Sequence, residues 1–333
     1  MSSLEKFNRS IDFFSNPEKS KAIMKSNAEG KLSFGIGFLD DALLGIQKND
    51  LILLGAPSGA GKTELASHIA FSNAAQDKKV VYFALEAETH EIENRVLYKH
   101  KATEYYRAGG RIYTSYDVWI QGGCPHLDEI AIGQDQISAR GLKTRYINEA
   151  YTIKNFLIDY TEIVNHSDLV ILDHIHYFDL ETENENKEYK EIIKKIRSQV
   201  LEYGKPIIVI SHIRKRDRRF PVIAPDQEDF HGTSDLVKVA TKVISMSPQY
   251  EVKMFRDLGN DIHSPLPGSN YTFMKIAKNR RNGSVCRYVG ATKYDPRTNA
   301  YQKEYFLGTQ KTKDKELIFL TETDPPQWAK SCL

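Results

Sequence analysis

The sequence predicts an α/β protein: a mostly parallel, twisted sheet flanked by helices, with a C-terminal antiparallel hairpin extension. Three observations predict it. Short apolar runs at Leu51–Leu54, Val80–Leu85, Leu169–Leu172 and Pro206–Ile210 alternate with longer stretches of helical period, the pattern of βαβ units. The first run leads into Ala56-Pro57-Ser58-Gly59-Ala60-Gly61-Lys62-Thr63, a phosphate-loop pattern set between a strand and a helix. Beyond residue 242 the pattern changes, and Asn282-Gly283 divides Tyr271–Ala277 from Val285–Gly290, a strong hairpin signal.

In chain order, Leu4, Phe7, Ile11 and Phe14 form one stripe of a short helix that Asn16-Pro17 stops. That helix cannot bury its stripe alone, so residues 1–30 are expected to be a linker or latch, docked on their own domain or on a neighbouring subunit. Helix Thr63–Ala75 follows the phosphate loop, and the strand Val80–Leu85 leads to a helix from Thr89 to about Lys101 with Ile92, Val96 and Leu97 inward. Residues 102–143 are rich in Tyr and Gly, show no clean period, and read as an irregular insertion. A helix resumes at Tyr151, with Ile153, Phe156, Leu157, Tyr160, Ile163 and Val164 on one face. The next strand ends in Asp173, helix Lys187–Glu202 turns Ile192, Ile193, Ile196 and Val200 inward, and the following strand ends in Ser211-His212. The main domain is thus expected over 31–308, and 309–333 as a surface tail in which Leu317–Leu320 adds an edge strand.

Composition excludes several classes. With 41% hydrophobic and 27% charged residues, the chain is an ordinary globular one. Its net charge of +2 gives no global basic field, so any nucleic-acid surface must be local. Cys124, Cys286 and Cys332 have no paired spacing, which points to a reducing compartment and away from structural zinc. The N-terminus lacks an apolar signal core and no apolar run approaches the ~20 residues of a membrane span, so a cytoplasmic protein without a membrane partner is expected.

The phosphate loop carries the first chemistry. Its glycines let backbone N–H groups surround phosphate oxygens at a helix N-terminus. Lys62 would reach the β- and γ-phosphates of ATP, and the Thr63 hydroxyl would ligate Mg²⁺. In open parallel sheets ligands sit beyond the carboxyl ends of strands, so polar residues there are candidates. Asp173, after four apolar residues, has the Walker B pattern for orienting Mg²⁺. Glu86 either polarises the attacking water or is an exposed loop acid. Ser211-His212 can report the γ-phosphate to the next loop, where Arg214, Lys215, Arg216, Arg218 and Arg219 are candidate contacts to a single-stranded nucleic-acid backbone. Lys278, Arg280 and Arg281 precede the hairpin turn and could act as fingers in a neighbouring subunit's site. His174 and His176, two residues apart at a strand exit, make a weak metal pair, and Cys124-Pro125-His126 lacks a second ligand pair.

Together these residues resemble the RecA-type ATPase domain of the DnaB-family hexameric helicases, in the branch of the phage primase–helicases and Twinkle, from about Phe34 to Phe306. Gly35-Ile36-Gly37-Phe38-Leu39-Asp40 with Leu44-Gly45-Ile46 and Asp50-Leu51 is similar to the family's lead-in. Phe83-Ala84-Leu85-Glu86 is similar to its FSLE motif, which implies that Glu86 is the catalytic base. Ile210-Ser211-His212-Ile213-Arg214 resembles the sensor strand, and Asp229-Phe230-His231-Gly232-Thr233 with Leu236 and Ala240 resembles the stretch behind the second DNA loop. Ala277-Lys278-Asn279-Arg280 resembles the AKxR motif, which implies that Lys278 and Arg280 act in trans, although the additional Arg281 offers a second arginine for that role. No stretch resembles the family's N-terminal helical domain, and Glu181–Glu188 is acidic where helicases place a DNA-facing loop. The resemblance implies a homo-oligomeric, hexameric ATPase that uses ATP and Mg²⁺ to move on single-stranded DNA during replication, alongside other replisome proteins. The alternatives are a RecA- or KaiC-like ring or filament ATPase without unwinding activity, and an accessory loader or DNA-binding subunit of a replisome.

Overall fold

The computed structural model describes residues 18, 21, 32–130, 141–213, 224–230, 234–248, 270–313, 317–321 and 324–332. Its strands are β1 (Leu51–Ala56), β2 (Val80–Ala84), β3 (Leu142–Tyr146), β4 (Leu169–Asp173), β5 (Ile207–His212), β6 (Lys242–Pro248), β7 (Tyr271–Asn279), β8 (Tyr288–Asp295), β9 (Ala300–Lys313) and β10 (Leu317–Thr321). They form one sheet in the order β10-β9-β8-β7-β6-β1-β5-β4-β2-β3. The strands from β6 to β3 in that order run parallel, and β7 to β10 add antiparallel partners.

Every residue of β1, β2 and β4 is buried, because helices cover both faces of a parallel sheet. On one face Ile52, Leu54, Ile171 and Ile208 meet Phe38 and Leu39 of α1 (Gly37–Leu43) and Leu65 and Ile69 of α2 (Lys62–Ala74). On the other, Leu53, Val170, Leu172 and Val209 meet α6 (Ile153–Ile163), α7 (Glu185–Tyr203) and α8 (Ser234–Val239) through Phe156, Ile192, Ile196 and Leu236. Thr152 and Asn155 cap α6 reciprocally, and Gly204 ends α7 in a left-handed conformation.

Three segments differ from the sequence expectation. The 102–143 stretch is more regular than its composition implies: α3 (Glu91–Arg107) extends into it, α4 (Tyr116–Ile120) and α5 (Pro125–Asp128) follow, and it ends within β3. Strand β3 is an edge whose residues are at most half-buried, so no apolar run announced it. The hairpin exists, but Asn282-Gly283 is not its two-residue turn. Instead Asn282 caps a 3₁₀ turn, Gly283–Arg287, and Val285 enters the core rather than a strand. Gly308 begins no tail, because it lies inside β9, and the chain beyond 324 returns Trp328 to within 6.0 Å of the Phe38 ring.

The antiparallel extension also curls back over α2. The turn between β8 and β9 brings Asn299 Nδ2 to within 3.4 Å of the Glu64 carboxylate, and the Arg297 carbonyl accepts a 2.6 Å hydrogen bond from the Tyr98 hydroxyl of α3. Glu64 also pairs with Arg95 of α3 at 3.2 Å. The helix that starts at the phosphate loop is therefore tied through Glu64 to both α3 and the β8–β9 turn.

Candidate nucleotide site

The phosphate loop runs from the end of β1 into α2. Gly59 and Gly61 have φ of +75° and +83°, the left-handed region in which a Cβ is strained. Gly55 is needed for a different reason: a Cβ there would lie 2.2 Å from the Phe230 ring. No side chain caps α2, so its first N–H groups are left to the loop and to an anion. Lys62 is buried and donates to the Ala56 and Pro57 carbonyls at 3.3 and 3.1 Å, folded over its own loop. Ser58 and Gly59 are exposed at the crest.

Asp173 faces this loop from the end of β4. Its Oδ2 accepts from the Thr63 hydroxyl at 2.9 Å and from the Tyr82 hydroxyl at 2.6 Å. Its Oδ1 is buried and has no hydrogen-bond partner among the described residues. Burial raises the Asp173 pKa, against the lowering effect of the Tyr82 and Thr63 hydrogen bonds. A buried carboxylate with one bare oxygen, beside a hydroxyl with lone pairs to spare, is a donor set that suits a hard cation such as Mg²⁺.

Parallel register sets the rest of the site. Ala84 pairs with Asp173 and Ala56 with His212, so Glu86 leaves β2 beside Asp173 while His212 ends β5 beside the phosphate loop. The Glu86 side chain is 47% exposed, and its Oε2 lies 3.1 Å from His174 Nε2 without hydrogen-bond alignment. His174 packs edge-on against His212 at 4.2 Å between ring centroids, and His176 lies 5.6 Å from each of them. Burial, followed by His212, His176 and Lys62, holds the His174 pKa down at about 2, so its ring is neutral. His174 and His176, a weak metal pair by sequence, pack with His212 in an imidazole cluster whose His174 lies against Glu86.

Lys278, Arg280 and Arg281 lie elsewhere. The Arg280 N–H donates to the Thr241 carbonyl, and the Thr241 N–H to that of Leu51, at the amino end of β1. They are thus separated from their own phosphate loop by the length of β1, about 17 Å. Lys278 Nζ donates to the Val237 and Lys238 carbonyls at the C-terminal end of α8. Residues 214–219 and the 1–17 stripe lie outside the described residues, as do His231, Gly232 and Thr233.

Sequence reasoning missed Tyr82, Glu64 and Arg95. Tyr82 carried one signal, a phenol in the middle of an apolar central strand, which needs a hydrogen-bond partner once buried.

The DnaB-like helicase C-terminal domain family model matches residues 32–293. No curated protein matches the chain. Among solved structures, a DnaB-like replicative helicase, described with its interactions with primase, aligns at 16% identity and a TM-score of 0.63, covering 86% of this chain and 67% of its own. An ATPase domain solved by itself aligns at 15% identity and 0.63, covering 90% and 98%. A KaiC-like protein from the hyperthermophilic archaeon Pyrococcus horikoshii aligns at 16% identity and 0.51, covering 81% and 97%. At these identities the structures show the fold, which is RecA-like. The family match spans most of the chain, and the chain belongs to that family.

Proposed function

We propose that this member of the DnaB-like helicase C-terminal domain family is the ATP-hydrolysing motor of a homo-oligomeric ring, a hexamer, that moves on single-stranded DNA during replication. One observation carries the reading: Lys62, Thr63, Glu86, Asp173 and His212 leave the carboxyl ends of four neighbouring strands around one phosphate cradle. Lys62 leaves its carbonyl partners to hold the β- and γ-phosphates of ATP, with the N–H groups of Ala56–Thr63 around them. Mg²⁺, held by Thr63 and Asp173, would offset the phosphate charge. Glu86, exposed and next to a neutral imidazole, takes the proton of the attacking water. Arg280 and Lys278 lie at the far end of the sheet from their own loop, so they serve a neighbour's site. His212 passes loss of the γ-phosphate to Arg214, Lys215, Arg216, Arg218 and Arg219, the DNA-contacting cations.

The Lys62→Ala variant is expected to abolish ATP hydrolysis while the ring still assembles, checked by phosphate release, sizing with ATP and strand displacement on forked DNA. Duplex unwinding by that variant would sink the reading. A second reading, a KaiC-like ring without unwinding, is favoured by the exposed acidic segment after β4. There the Glu188 carboxylate accepts from the Glu181 and Thr182 N–H groups and closes a compact acidic loop. Ring formation without DNA-stimulated hydrolysis would select it.

A further inference from the structure

We propose that Tyr82 is a positioning residue, which pins the Asp173 carboxylate so that Oδ1 is presented to the cation. This rests on reading Thr63 and Asp173 as the Mg²⁺-holding pair. Tyr82 is fully buried in β2, paired with Ile171 two residues before Asp173 on the adjacent strand. Its hydroxyl donates to Oδ2 at 2.6 Å, and the Thr63 hydroxyl donates to the same oxygen at 2.9 Å. A half-turn merely exchanges the two equivalent oxygens, but rotating the carboxylate out of this plane would break both charge-assisted hydrogen bonds at once. Both donors therefore select one orientation, in which Oδ1 is the oxygen left buried and unpartnered among the described residues.

The two donors are not equivalent. Thr63 belongs to the phosphate loop and must adapt to whatever the loop binds. Tyr82 is anchored in the sheet and keeps its grip on Oδ2 whatever the loop does. A phenylalanine at 82 would fill the same space and leave the carboxylate held by Thr63 alone. Outer hydrogen bonds of this kind govern how well a ligand oxygen is presented to a metal.

The test uses the full chain with Mn²⁺ as a paramagnetic probe, titrated into the protein–ADP complex and followed by electron paramagnetic resonance. The Tyr82→Phe variant is expected to bind Mn²⁺ about tenfold more weakly. Its affinity for a fluorescent ATP analogue in EDTA should match the wild type. Unchanged Mn²⁺ affinity would overturn the proposal. So would an equal loss of metal-free nucleotide binding, because the phenol would then be a strut of the fold. Asp173→Asn separates the two levels: if it retains wild-type Mn²⁺ affinity, the underlying assignment of the metal pair fails, and Tyr82 with it. If Asp173→Asn loses Mn²⁺ and Tyr82→Phe does not, only the role of Tyr82 fails.

Discussion

The two ends of the parallel sheet each bury an aspartate, Asp50 before β1 and Asp173 at the end of β4, and both are 2% exposed. At the amino end every acceptor is used. Asp50 Oδ1 accepts from the Thr241 hydroxyl at 3.0 Å, and Oδ2 accepts from the Gln47 N–H at 2.9 Å and from the buried Lys242 ammonium. Lys242 donates also to the Gly45 carbonyl at 2.8 Å, so the charge pair ties the α1 turn to β6. At the carboxyl end Asp173 has two hydroxyl donors on one oxygen and, among the described residues, no hydrogen-bond partner on the other. The same residue type at the same depth is thus a fully hydrogen-bonded structural joint at one end and a half-satisfied carboxylate at the other. Incompleteness costs stability, and that cost marks the end where a ligand belongs.

Substitutions can break that contrast. The largest effect is expected at the finished joint: Asp50→Ala strands the buried Lys242 charge and should cost about 3–5 kcal/mol in urea denaturation. A loss under about 1 kcal/mol would mean that the pair is only a surface-like contact. Next comes a pH effect at His68 on α2, whose Nε2 lies 2.7 Å from the Gly35 carbonyl and whose other nitrogen meets Lys99. Burial, aided by Lys99, lowers its pKa from 6.5 to about 3. Below pH 6.5 the unfolded chain takes up a proton that the folded chain refuses. Stability contributed by this group is therefore present above that pH and falls on acidification by about 1.4 kcal/mol per pH unit until about pH 3. His68→Gln should flatten the curve between pH 6.5 and 5 by that slope, and a variant with the wild-type slope would contradict it. The smallest effect, of opposite sign, is expected at the incomplete end. Asp173→Asn keeps an acceptor for Thr63 and Tyr82 but removes a buried charge whose pKa burial has raised. Its stability should be unchanged or higher by about 1 kcal/mol, although metal-dependent nucleotide binding is lost. Destabilisation comparable to Asp50→Ala would erase the distinction between the two ends.

Much of the site was legible because its parts are local patterns. The phosphate loop is eight consecutive residues whose glycines, lysine and threonine each answer a requirement of phosphate binding. Asp173, Glu86 and His212 could be found because strand ends are visible as the last residue of an apolar run. Helix α3 was under-read beyond Lys101 because Thr103 to Tyr106 are only half-buried and Arg107 is exposed, so the apolar period fades before the helix ends. Strand β9 was missed because Ala300–Lys313 alternates weakly at a curling margin.

The sequence by itself determined the α/β class, the order of the central elements and the residues of the phosphate cradle, because each is written in contiguous residues or in a short period. Only the tertiary structure decided which hydroxyls share one oxygen of Asp173, that His174 lies against Glu86, and that Arg280 stands at the far end of the sheet from Lys62. Those relations depend on parallel register between strands distant in the chain. Register arises from packing on both faces of the sheet, which no local stretch of sequence encodes.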